Sequence, residues 1–125
     1  MKNEEFWGLI PYFKKSEFDC KCGCGQNNIS QDFVKQLSQA RYLSQTPFNI
    51  NSACRCSSHN SEVEGSQTSS HIKGLAVDIK VNSSVDRFNI IQSLTACGFK
   101  RIGVYKTFIH VDIDSSKSQD VMWYA

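Results

Sequence analysis

Between Leu75 and Val81 apolar and polar positions alternate without a break: Leu75, Val77, Ile79 and Val81 interleave with Ala76, Asp78 and Lys80. That two-residue period belongs to a strand with one face in a core. The same period recurs over 108–113, where Ile109, Val111 and Ile113 share one face and His110 and Asp112 the other. Helical spacing appears in Phe33, Val34, Leu37, Ala40 and Arg41, predicting a helix capped by Ser30 and ending near Leu43, ahead of Thr46-Pro47. A second helix is predicted from a Ser84 cap through Val85, Phe88, Ile91, Leu94 and Ala96 to a stop at Gly98. Phe48 and Ile50 read as a short strand, and Phe99, Ile102 and Val104 lead through Tyr105 into the 108–113 strand. Without a regular parallel βαβ rhythm, the expected class is α+β: a small, mainly antiparallel sheet flanked by helices.

The 125 residues suit a single domain, 1–125, with its own core. Residues 6–19 scatter Phe6, Trp7, Leu9, Ile10, Phe13 and Phe18 among charges around Pro11, so 1–19 is expected as an irregular lead packed onto that domain. A net charge of +2 is too small to argue for nucleic acid. No apolar run approaches a membrane span, and an acidic N-terminus without an apolar stretch argues against a signal peptide. The expectation is therefore a monomer made in the cytoplasm.

Chemistry concentrates on the polar faces of the two strands. His71 and Asp78 lie seven residues apart, with Gly74 permitting a turn between them and small Ala76 leaving room on Asp78's side. If the strands are neighbours, His71, Asp78 and His110 meet as three ligands with an open position, the layout of catalytic rather than structural zinc. Each could instead be an ordinary hydrogen-bonded strand residue. Two strands that both carry such groups opposite an aliphatic face bring the two readings level. His59 reads as a loop residue, since the ligand set is complete without it.

Six cysteines raise a separate question. Cys20, Cys22 and Cys24 stand two apart among glycines, Cys54 and Cys56 repeat that spacing, and Cys97 sits at a predicted helix end. Neither a redox CxxC nor a usual zinc knuckle has this spacing. Free thiols, a disulfide from the 20–24 loop to Cys54 or Cys56, and a structural metal on thiolates all stay open.

Ser69-x-His71-x-x-Gly74-x-Ala76-x-Asp78 followed by His110-x-Asp112 resembles the signature of the zinc peptidase family of D-alanyl-D-alanine carboxypeptidases and L-alanyl-D-glutamate endolysins, a fold shared with the hedgehog signalling domain. The likeness includes Ile50-x-Ser52-x-x-Arg55-x-x-x-x-Asn60 and the closing Trp123, so it runs from about Phe13 to the end. The resemblance implies one zinc on His71, Asp78 and His110. It also implies peptidoglycan stem or cross-link peptides as substrate, Arg55 as the clamp for a substrate carboxylate, and Ser69 on the substrate side. Related sequences often pair a cysteine-rich lead with a cysteine beside the motif arginine, which implies that Cys56 lies near the 20–24 loop.

Hydrolysis through a zinc-activated water also needs a proton carrier. Several family members have an acid three positions before the last histidine, where this chain has Thr107. Asp112 is the catalytic candidate that remains, its competing role being to orient an imidazole; Glu64 is a more distant candidate. A leaderless chain of this size would suit a phage-type lysin or a wall-processing enzyme acting on the cell wall. The alternative is a catalytically weak zinc-binding recognition module of the same fold.

Overall fold

A computed structural model describes residues 2–63, 65–66 and 68–125. Ser30 Oγ accepts the Phe33 amide and starts α2 (Gln31–Ser44), which follows a short α1 (Asn3–Gly8) and a 3₁₀ turn, Lys15–Phe18. The lead is thus partly helical, on either side of Pro11, rather than irregular throughout. α2 ends where Gln45 adopts the left-handed region at φ 52°, just before Pro47. Phe33, Val34, Leu37 and Ala40 are buried along one stripe, and Phe6, Phe13 and Phe18 of the lead join the same core.

Five strands follow: β1 (Ile50–Ser52), β2 (Ala76–Lys80), β3 (Arg101–Val104), β4 (Phe108–Asp112) and β5 (Val121–Tyr124). They form one sheet in the order β1-β2-β4-β3-β5, antiparallel except for the β3–β5 pair. The expected mainly antiparallel α+β architecture is the one observed. Besides the helical turns of the lead, β5 was not anticipated, nor was α3 (Ser57–Glu62), which is capped by the Cys56 side chain.

α4 (Ser84–Ala96) packs against α2 and ends at Gly98, φ 87°. Its cap is Ser83, whose Oγ accepts the Asp86 amide, one residue before the expected Ser84. Val85 and Phe88 are exposed, while Ile90 and Leu94 make the inward face. The expected stripe was therefore displaced around the helix at its N-terminal end.

The sheet has two chemically distinct faces. Val77, Ile79, Ile102, Ile109 and Val111 lie in the core with α2 and α4 residues. Strand alternation sends Ala76, Asp78, His110, Asp112 and Gly103 to the other side. Register fixes which of these meet: Asp78 is opposite His110, Ala76 opposite Asp112, and Gly103 is beside both His110 and Trp123.

Candidate metal centre

His71 arrives from the turn between α3 and β2. Ser69 Oγ accepts the His71 amide, and the Gly74 amide bonds back to the His71 carbonyl at φ +71°. Gly74 is required there twice over, because a Cβ would also run into the Asn28 backbone. The His71 Nδ1 lies 2.7 Å from the Ala53 carbonyl. A carbonyl only accepts, so Nδ1 carries a proton, and Nε2 faces Asp78, 3.4 Å away at Oδ1.

His110 is held from the opposite side. Its Nε2 is 2.7 Å from Asp112 Oδ2 and its Nδ1 is 3.0 Å from Asp78 Oδ1. Asp112 is only 1% exposed and its other oxygen is occupied: Arg101 Nε donates at 2.7 Å and the Asp114 amide at 3.0 Å. Trp123 lies against the His110 ring at 5.7 Å, donates its indole N–H to Tyr105 Oη, and carries the Arg101 guanidinium over its face.

These contacts set the electrostatics. Burial opposes ionisation of Asp78, but hydrogen bonds from His110 and His71 outweigh it and hold its carboxyl down at about 2. Burial likewise works against charge on His110, yet Asp112 and Asp78 raise its pKa above the ordinary histidine value. For Asp112 burial is again outweighed, by His110, the Asp114 amide and Arg101, and its pKa is lowered.

One donor atom each from His71, Asp78 and His110 lies within 4.8 Å of the other two. A tetrahedral zinc with bonds of about 2.0–2.1 Å needs donor separations of about 3.3–3.5 Å. The 3.4 Å and 3.0 Å separations about Asp78 Oδ1 come close to that frame. Both imidazoles have their outward nitrogen engaged by an acceptor, which is how metal-binding histidines are oriented. The residues fit the ion.

Arg55 borders the site. Its Nη2 is 3.7 Å from Asp78 Oδ2, Nη1 donates to Asn60 Oδ1, and Nε donates to Ser52 Oγ. Ser69 is 8% exposed and serves the turn that delivers His71. His59 lies on α3, and the only histidines in a metal-binding group among the described residues are His71 and His110. Glu64 lies outside the described residues. Sequence reading overlooked Arg101, although its alternation with Ile102 on β3 would have placed it on the polar face beside Asp112.

An α+β sheet that gathers two imidazoles and a carboxylate on its polar face, two of them from the interior strands β2 and β4, has the layout of a mononuclear metallohydrolase. The family described as Peptidase M15 matches residues 11–114, and the chain belongs to it. No curated protein matches the chain. Membership makes it a metallopeptidase of a zinc-dependent family that acts on peptidoglycan peptides. The anticipated start near Phe13 agrees with the matched span, while the anticipated reach to Trp123 goes beyond its end at residue 114.

Proposed function

We propose that this chain cleaves peptidoglycan stem or cross-link peptides at the cell wall, as a D-Ala-D-Ala carboxypeptidase or an endolysin-type endopeptidase. The observation that carries the reading is the His71–Asp78–His110 donor set, gathered within 4.8 Å, next to the Arg55 guanidinium. A zinc bound there would lower the pKa of a coordinated water to about 7 and polarise the scissile carbonyl.

The chain's own residues supply the rest. The Ala53 carbonyl holds His71 in the tautomer that offers Nε2, and Asp112 does the same for His110 from its Nε2 side. This geometry favours Asp112 as a positioning residue: it is buried, it binds the far nitrogen of His110, and Arg101 uses its second oxygen. Arg55 is proposed to bind a substrate carboxylate by exchanging its Asn60 and Ser52 partners for the ligand's oxygens. Ser69 is proposed to keep the turn that faces the peptide in shape.

Digestion of purified peptidoglycan, followed by mass analysis of the products, tests this. Release of fragments is expected to stop with chelator, return with zinc and be absent in His110→Ala. Loss of one terminal D-alanine identifies a carboxypeptidase, and new internal termini an endopeptidase. Zinc binding without any products would leave the recognition module instead.

A further inference from the structure

Four sulfurs that the peptidase site does not use converge at one point. Cys20 Sγ is 3.5 Å from Cys22 Sγ and 3.8 Å from Cys56 Sγ, and Cys22 Sγ is 3.7 Å from Cys56 Sγ. With Cys24 included, all four sulfurs lie within 4.8 Å of one another. A tetrahedron with metal–sulfur bonds of about 2.3 Å has edges of about 3.8 Å. A disulfide would bring two sulfurs to about 2.05 Å, and none of the six cysteines is so joined.

Burial does not explain the gathering, since Cys22 and Cys24 are exposed and only Cys20 of the three loop cysteines is buried. The backbone is bent to achieve it. Gly23 and Gly25 sit at φ +89° and +82°, and a Cβ on either would meet nothing within 4 Å. They are needed for conformation rather than space, and they curl the loop so that three alternate side chains face one centre. Three of the sulfurs also receive backbone amides: Cys20 from Cys56, Cys24 from Gln26, and Cys56 from His59, each at 3.4 Å. Amide donors of this kind stabilise sulfur as thiolate around metals.

We propose that Cys20, Cys22, Cys24 and Cys56 bind a second, structural zinc as four thiolates. Binding releases the thiol protons to solvent and leaves a closed tetrahedral centre of net charge −2, with no position for substrate. The ion clips the N-terminal lead to the segment that bears Arg55. Arg55's amide donates to the His71 carbonyl and its carbonyl accepts from Gln26, so the clip also braces the first imidazole of the peptidase site. Cys54, buried against Asn27, and Cys97 lie outside the centre. The inference does not depend on what the peptidase site cleaves.

Cobalt loading of the reduced, intact chain under anaerobic conditions tests it. The wild type is expected to bind two cobalt ions and to show near-ultraviolet thiolate-to-cobalt charge transfer. His110→Ala should fall to one ion and keep that absorption in full. Cys22→Ser with Cys24→Ser, both at exposed positions, should also fall to one ion but lose it. If the double variant does not fold, the wild-type and His110→Ala spectra decide the matter alone. Wild-type binding of a single ion without the charge-transfer band would overturn the proposal. So would alkylation of the exposed Cys22 and Cys24 at rates that zinc saturation leaves unchanged.

Discussion

Asp112 shows how many partners one buried carboxylate can hold at once. One of its oxygens faces His110 Nε2, and the other takes Arg101 Nε and the Asp114 amide. Asp112→Asn is therefore expected to weaken zinc binding by about 10–100-fold, the usual cost of removing a carboxylate behind a metal-binding histidine. Competition with a chromophoric chelator measures it. Unchanged zinc affinity combined with lost hydrolysis would make Asp112 the proton carrier instead. Sequence alone left these roles level, because alternation gives the face of a side chain and not which nitrogen of a neighbouring imidazole it meets.

Among elements, β2 and β4 were legible because each alternates cleanly and buries one face, the condition under which period 2 is informative. α3 and β5 were not. α3 reads Ser-Ser-His-Asn-Ser-Glu, with no apolar period to detect, and it is held by the Cys56 cap and by Asn60, whose side chain bonds Arg55 and the Ser66 carbonyl. β5 is a four-residue edge strand with Met122 and Tyr124 exposed, so burial leaves little pattern in it. Yet β5 supplies Trp123, and β3 makes room for it. A Cβ on Gly103 would stand 2.6 Å from the indole Cε2. Gly103→Ala is predicted to displace Trp123 from His110 and to cost about 1–3 kcal/mol by overpacking. Denaturant titration reads the stability, and indole fluorescence reads the displacement.

Across the whole molecule, Asp114 ties together segments far apart in sequence. Its carboxylate accepts Ser70 Oγ at 2.7 Å, Lys73 Nζ at 3.0 Å and Ser116 Oγ at 2.6 Å. Burial opposes its ionisation, but Ser116, Ser70 and Lys73 outweigh burial and hold the carboxyl well below the usual range. A depressed carboxyl stabilises the fold above its unfolded value, about 3.9, and loses that contribution as pH falls towards its folded value. Asp114→Asn should thus cost about 2–3 kcal/mol at pH 7, and the gap to wild type should shrink steadily below about pH 4. Chemical unfolding at a series of pH values checks it, and a gap independent of pH would remove the ionic explanation. Among the described residues no helix is long and apolar enough to cross a membrane.

The pairing of Asp78 with His110 across adjacent strands has a further consequence. Neighbouring strands run about 4.8 Å apart, so the ladder itself acts as a calliper for two of the three donors. Sliding β4 by one residue would turn His110 inward and bring an aliphatic side chain to Asp78. The mouth of the centre can drift through changes in loops, but its width can change only in whole-residue jumps. The short link from Tyr105 to Thr107, which joins β3 to β4 and so sets Gly103 beside His110, should tolerate exchange of its side chains far better than the gain or loss of one residue.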